Sequence, residues 1–311
     1  MNIKKASFLQ STVFTRLNIS KEIHNPVVFD EAYANGKSYG GSEPKIGVTY
    51  KNNNWILKYR KNRHGNLINN HISEYVGSKL FSTLGLETQI AELGVYKGNE
   101  IVGVRDFTNV NEVLVPHRGI GEGSTYSEER LAIYEYAEIE QDIINNKKLK
   151  DKDFVLRQFW RMFVVDAILG NFDRHGFNWG YLKDTRYNIY RIAPIFDCGS
   201  CLFPALLDED IEKHLMDYDE TRDRVYKFPT SQIKLNKRKS SYYDVINSQN
   251  FKGCIESVKW LKSVYDEKYL EQIINHDMIS EKRQEFIKHI VSLRYHCIIE
   301  GGNFDDRYKS I

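Results

Sequence analysis

The first hundred residues show hydrophobic and polar positions in alternation. Four segments have the two-residue period of half-buried strands: 45–50, 55–59, 91–96 and 100–105. Turn-forming residues lie within each pair, at 52–54 in the first and at Gly98-Asn99 in the second. The pattern predicts two hairpins.

A helical period separates these hairpins. It begins near Asn70, continues through apolar residues to Leu84, and is followed by Gly85, which is suited to a helix end. From about residue 126 the chain becomes mainly helical. Residues 128–145 are amphipathic, whereas 154–169 are apolar on nearly all sides, as in a buried helix.

After Gly170, residues 179–182 and 188–195 predict a short hairpin. Residues 207–226 are polar and acidic and residues 227–239 are basic, so both are interpreted as surface segments or a long loop. The order of elements predicts an α+β fold. Its small β-rich lobe would contain residues 1–107 and its larger, mostly helical lobe residues 108–311.

Composition limits the possible functions. The 311 residues carry a net charge of only +2, which does not indicate a general nucleic-acid or membrane-binding surface. No run of eighteen apolar residues predicts a membrane span, and the N-terminus lacks the features of a signal peptide. We therefore expect a cytoplasmic protein, or one that is exported by a specialised route.

The four cysteines include one C-x-x-C pair, Cys198 and Cys201. A structural zinc site usually needs a second ligand pair, and Cys254 and Cys297 do not have that spacing. Ordinary buried thiols are the favoured interpretation, with metal or redox use of the pair as the alternative.

The candidate chemistry lies between Asn171 and Asp197. Asp173 and Asn178 have the spacing D-x-x-x-x-N of a kinase catalytic loop, and Asp197 follows nineteen residues after Asn178 in an Asp-x-Gly sequence. Phosphoryl transfer needs a carboxylate beside the attacking hydroxyl and oxygen ligands for magnesium. Asp173 fits the first role, and Asn178 and Asp197 fit the second.

Less specific interpretations exist for each residue. Asp and Asn in loops often serve as caps or turn residues. His175 can orient the loop or Asp197, contact a phosphate, or have a purely structural role. Arg174 is interpreted as a loop brace or a solvent-facing charge rather than a catalytic cation.

The strings N-F-D-R-H-G-F-N at 171–178 and A-P-I-F-D at 193–197 resemble the HipA family of bacterial serine/threonine kinases. The resemblance extends from about Tyr39 to the C-terminus. It implies a bilobal, protein-kinase-like fold and an ATP- and Mg²⁺-dependent kinase that acts on a protein substrate. Asp173 would be the catalytic base, and Asn178 and Asp197 would be the magnesium ligands.

The resemblance also implies an ATP-binding lysine in the small lobe. Lys58 lies in an apolar strand, and Glu74 in the following helix would be its partner. The alternatives are a lysine that extends to solvent from an edge strand and a glutamate that stabilises the first turn of a helix.

A phosphate-covering loop is expected at residues 38–45, where Gly40, Gly41, Ser42 and Lys45 would contact ATP. Gly-Gly is otherwise a common turn. The loop resembles the G-x-Q-x-K pattern of the family but has Glu43 in place of the glutamine.

The same resemblance implies that the backbone near Arg105 and Phe107 contacts adenine, and that Ser38 or Ser42, which otherwise are turn residues, is autophosphorylated. A lipid or small-molecule kinase and an ATP-binding pseudokinase are the competing hypotheses. No nucleic-acid partner is expected.

Overall fold

The computed structural model describes residues 24–40, 43–117 and 134–309. Within these ranges the chain has a mixed α+β fold, as predicted. A six-stranded sheet and one helix precede a mainly helical part that also contains short strands.

The largest sheet has the strand order β1-β7-β8-β4-β3-β2, in which only the β1–β7 pair is parallel. Its strands have the following bounds: β1 Val27–Val28, β2 Tyr33–Ala34, β3 Lys45–Tyr50, β4 Asn53–Tyr59, β7 Ala91–Tyr96 and β8 Asn99–Arg105. The two predicted hairpins are β3–β4 and β7–β8. Their turns are Lys51-Asn52 and Lys97-Gly98, all with positive φ, so each second strand begins one or two residues earlier than predicted.

Helix α1 (Asn70–Thr83) packs on one face of this sheet. Gly85, at φ +81°, follows its end as predicted. Gly77 on this helix lies against Cys198, because a Cβ atom added at Gly77 would be 2.7 Å from the Cβ of Cys198. The absence of a side chain therefore lets α1 approach the segment that carries Asp197.

The remaining elements form three small sheets and a group of helices. The strands are β5 Asn62–Arg63, β6 Asn66–Leu67, β9 Glu112–Pro116, β10 Tyr134–Glu135, β11 Gly180–Asp184, β12 Ile189–Ile192, β13 Thr230–Leu235 and β14 Arg238–Ser241. The helices are α2 Tyr136–Asn145, α3 Lys152–Leu169, α4 Ile211–Met216, α5 Tyr218–Tyr226, α6 Tyr242–Asn247, α7 Lys252–Val264, α8 Glu267–Ile274, α9 Glu281–Arg294 and α10 Phe304–Tyr308, with a π-helical turn at Tyr295–Glu300.

Helix α3 is the predicted buried helix. Every residue from Met162 to Leu169 is buried, and Gly170 ends the helix in the left-handed conformation. The amphipathic helix predicted at 128–145 begins only at Tyr136, after strand β10. Residues 128–133 lie outside the described ranges.

The expectation of a long loop at residues 207–239 was wrong, although many of these residues are exposed, as the alternative of surface segments predicted. The chain forms helices α4 and α5 and the hairpin β13–β14 there. Asp217 caps α5 by accepting a hydrogen bond from the backbone of Glu220, and Val225 and Ile233 are buried. Few apolar residues anchor these elements, so the polar composition concealed them.

All four cysteines are buried free thiols. Among the described residues, no helix is long and apolar enough to cross a membrane.

Candidate active site

Strand β4 and helix α1 position a buried ion pair. The Nζ atom of Lys58 is 3.0 Å from Oε1 of Glu74, and Glu74 is 1% exposed. Lys58 lies on a central strand between β3 and β8, which excludes the edge-strand alternative. Glu74 lies beyond the first turn of α1, and Gln89 donates a second hydrogen bond to the same carboxylate oxygen.

The two charges stabilise each other. Burial alone would lower the pKa of Lys58, but the carboxylates of Glu74, Asp197 and Glu43 raise it above its ordinary value. Burial raises the pKa of Glu74, and the charge of Lys58 opposes that rise. Lys58 therefore stays protonated at neutral pH and presents a fixed positive charge.

Asp197 also lies close to this lysine, with Oδ1 3.5 Å from Nζ. Its φ of +59° is uncommon for a residue with a side chain and is seen mostly at turns and functional sites. Burial alone would raise the pKa of Asp197, but the positive charges of Lys58 and Arg174 hold it below the ordinary value. The carboxylate is therefore ionised over a wide pH range.

A buried guanidinium holds the loop that follows α3. Arg174 is 6% exposed and donates from Nε to Oδ2 of Asp166 over 2.8 Å. Its Nη1 atom donates to the carbonyl oxygens of Asn178, over 2.8 Å, and of Phe196. One side chain thus connects the loop containing Asp173 to the segment containing Asp197. Arg174 is the predicted brace.

Two later elements also hold this loop. Gln232 on β13 donates to the carbonyl oxygen of Phe172 over 3.0 Å. The hydroxyl of Tyr242 on α6 donates to the carbonyl oxygen of Asn171 over 2.7 Å. The hairpin that the sequence did not predict therefore contributes to the position of Asp173.

Within the loop, Asp173 lies beside His175, with 3.6 Å between Oδ1 and Nε2. The backbone N–H of Phe177 donates to Nδ1 of His175, so a neutral ring carries its proton on Nε2, towards Asp173. Burial and the charge of Asp197 raise the pKa of Asp173, partly opposed by His175. The side chain is still 45% exposed, so a substrate can reach it.

Asn178 donates from Nδ2 to the backbone oxygen of Asp173 over 2.8 Å, which leaves its amide oxygen as the atom that can face a cation. The oxygens of Asn178 and Asp197 are the hard donors that magnesium prefers, and Arg174 holds the backbone of Asn178 and of Phe196, which precedes Asp197. No group of three or more His, Cys, Asp or Glu residues in the described ranges could hold a metal ion by itself. The pair fits a magnesium ion that takes its other ligands from water and phosphate.

The loop expected to cover phosphate is partly described. Lys45 lies opposite Lys58 in the β3–β4 pair and donates to the carbonyl oxygen of Gly40 over 2.5 Å. Burial and the nearby charge of Lys58 lower the pKa of Lys45. The predicted contacts of Gly41 and Ser42 lie outside the described residues.

The segment after β8 lies at the edge of the group of charged residues around Lys58. The ring of Phe107 is 6.0 Å from that of Phe196, next to Asp197. Asp106 accepts hydrogen bonds from Lys37 and from the hydroxyl of Tyr39, each over 2.9 Å, and so connects this segment to the start of the loop.

The side chain of Arg105 is on the other face of the sheet. It is exposed and donates to Asn53, because side chains of β8 alternate between faces and Val102 and Val104 occupy the face towards α1. The structure therefore does not bring the Arg105 side chain to the candidate site, and only its main chain remains a candidate there.

Several residues of the site were not predicted. Asp166 is completely buried beneath the loop, Gln89 contacts Glu74, and Lys61 and Glu43 contact each other beside Lys58. A charged Asp166 in the otherwise apolar stretch 162–169 of helix α3 was the one signal in the sequence, since such a charge needs a buried partner.

Comparison with known protein families identifies the class of protein to which this fold and this group of residues belong. The sequence profile of the HipA-like C-terminal domain matches residues 37–260. The chain belongs to this family, as its catalytic-loop motif predicted.

The relative CtkA shows how far the similarity extends in sequence and in structure. The serine/threonine-protein kinase CtkA of Helicobacter pylori is 35% identical over 276 aligned positions, and the match covers 85% of this chain and 83% of that protein. The crystal structure of the Helicobacter pylori proinflammatory kinase CtkA matches with a TM-score of 0.81 and 31% identity, over 92% of this chain and 98% of that chain.

A more distant likeness is limited to the fold. HipA of Shewanella oneidensis, in a structure with HipB and operator DNA, matches with a TM-score of 0.54 and 13% identity, over 88% of this chain and 67% of that chain.

Proposed function

We propose that this protein is an ATP- and Mg²⁺-dependent serine/threonine kinase that phosphorylates a protein substrate and itself. The proposal rests on one observation: Lys58, Glu74 and Asp197 lie close together beside the loop that contains Asp173 and Asn178. The name of the relative CtkA supports the same reaction class.

The proposed layout is bilobal. Residues 1–107 would form the small lobe, in which Lys58, oriented by Glu74, binds ATP phosphates. Gly40, Gly41, Ser42 and Lys45 would cover the phosphates, and Phe107 with the main chain of Arg105 would lie beside adenine. Residues 108–311 would form the larger lobe, which carries the remaining catalytic residues.

Asp173 is the proposed catalytic base. It is partly exposed, and its raised pKa makes the ionised group a better proton acceptor than an ordinary aspartate. It would take the proton of the attacking hydroxyl as the new O–P bond forms and the bond between the β- and γ-phosphates breaks, which releases ADP. His175 would orient Asp173 through its Nε2 atom.

Asn178 and Asp197 would hold magnesium, which when bound supplies charge neutralisation for the phosphates. Asp197 can do this because it stays ionised, and Arg174 fixes both ligands relative to each other. The substrate is proposed to be a protein rather than nucleic acid, in keeping with the small net charge.

The test is transfer of label from [γ-³²P]ATP by the purified protein, alone and with generic protein substrates, followed by mass spectrometry. Magnesium-dependent label on serine or threonine supports the proposal. Label that appears only on added lipid or small-molecule acceptors would indicate the alternative substrate class. Binding of ATP without any transfer would indicate a pseudokinase.

A further inference from the structure

Lys58 is surrounded by three carboxylates. Glu74 is 3.0 Å, Asp197 3.5 Å and Glu43 3.7 Å from its Nζ atom. An ammonium group has three N–H donors, so these three anions occupy its surroundings. A phosphate oxygen that is to contact Lys58 must therefore replace one of them.

Glu43 is the carboxylate that can leave. Glu74 is fixed on a buried helix and also accepts from Gln89. Asp197 is fixed by the backbone of its segment, where Arg174 binds the carbonyl oxygen of the preceding residue. Glu43 belongs to the loop before β3 and is the most distant of the three from Lys58.

Glu43 nevertheless occupies a defined position. Its Oε1 atom is 2.9 Å from Nζ of Lys61, and its side chain is only 8% exposed. The same oxygen would be 3.5 Å from a Cβ atom built at Gly199, two residues after Asp197. The carboxylate thus bridges two lysines inside the proposed phosphate site, in the way that an anionic ligand would.

We propose that Glu43 is an internal anion that occupies the place of a nucleotide phosphate between Lys58 and Lys61 and must be displaced when ATP binds. The inference rests on the proposed function, since it assumes that Lys58 binds phosphate. It adds Lys61 as a second phosphate-binding cation and gives the loop an autoinhibitory contact. Two anions cannot occupy one small cationic site, so Glu43 and phosphate exclude each other.

The test is the affinity of the Glu43→Gln variant for adenosine, ADP and ATP, measured by calorimetry in magnesium buffer. Glutamine keeps the size of the side chain and removes its charge. If Glu43 occupies the site between Lys58 and Lys61 in about 90% of molecules, the variant should bind ADP and ATP on the order of tenfold more tightly. Adenosine has no phosphate, so its affinity should not change.

Glu100→Gln is the matched control. It removes the same charge from strand β8 and breaks an ion pair with Arg60, whose Nη1 atom is 2.7 Å from Oε2. This control should bind all three ligands as the wild type does. Equal tightening in Glu100→Gln would indicate a general charge effect and overturn the inference.

Unchanged or weaker binding of ADP and ATP by Glu43→Gln also overturns the inference, while transfer activity of the wild type would leave the proposed function intact. A wild type that binds no nucleotide overturns both. Circular dichroism checks the folding of each variant. If Glu43→Gln does not fold, Glu43→Asp carries the test, since its shorter side chain cannot bridge both lysines and should also tighten ATP binding. Unchanged affinity in that variant contradicts the inference.

Discussion

Replacing Arg174 by methionine should destabilise the protein strongly, because it leaves the buried carboxylate of Asp166 without its cation. Asp166 is 0% and Arg174 6% exposed, and two hydrogen bonds, of 2.8 Å and 3.2 Å, join them. Removal of one partner of such a pair costs about 3–5 kcal/mol. The same change also frees Asn178 and Phe196 from their common donor, so phosphoryl transfer should fall as well.

Urea unfolding of Arg174→Met, Asp166→Asn and the double variant measures this effect. The double variant contains no unpaired buried charge, so its loss of unfolding free energy should be smaller than the sum of the single losses by about 1–3 kcal/mol. The control is Arg186→Met, which removes an exposed pair with Asp184 and should change the stability far less, because solvent screens exposed ion pairs. If the losses of unfolding free energy in the single variants are additive in the double variant, or if Arg174→Met is as stable as the control, the predicted coupling between Arg174 and Asp166 is contradicted.

Three further predictions concern the candidate site. Turnover should fall as pH decreases through the raised pKa of Asp173, because the base must be ionised, and His175→Gln should move this acidic limb to higher pH, because His175 lowers that pKa; pH–rate profiles of both proteins check the direction. Asp197→Ala should reduce the effect of magnesium on ATP binding, and calorimetry with and without magnesium would contradict this assignment if the effect were unchanged. Ser38 is exposed beside the loop, so incubation with Mg-ATP should place phosphate on it and weaken ATP binding, as phosphosite mapping and a binding titration can determine.

Local patterns predicted the elements whose sequence signals are strong. The hairpins β3–β4 and β7–β8 and helix α3 combine a clear period with turn or cap residues, and the structure confirms them. Helices α4 and α5 were missed because their sequences are highly polar, and only tertiary contacts of a few residues such as Val225 stabilise them.

The candidate site was predictable where its residues are close in sequence. Asp173, Asn178 and Asp197 lie within one motif, and the structure brings Lys58 to Asp197. The position of Glu43 between two lysines depends on how a loop folds over a sheet, so no spacing in the sequence indicated it. The register of β8 determines the face of the sheet on which the Arg105 side chain lies. Strand alternation can indicate that face only when the bounds of the strand are known.

The most direct test of the central claim is the comparison of wild type and Asp173→Asn in the same phosphoryl-transfer assay, with ATP affinity measured in parallel. Asparagine keeps the shape of the side chain but cannot accept the proton of the hydroxyl. We expect nearly unchanged ATP binding and transfer reduced by about 10²–10⁴-fold. Near-normal transfer by Asp173→Asn would contradict the assignment of the catalytic base and the proposed use of this site.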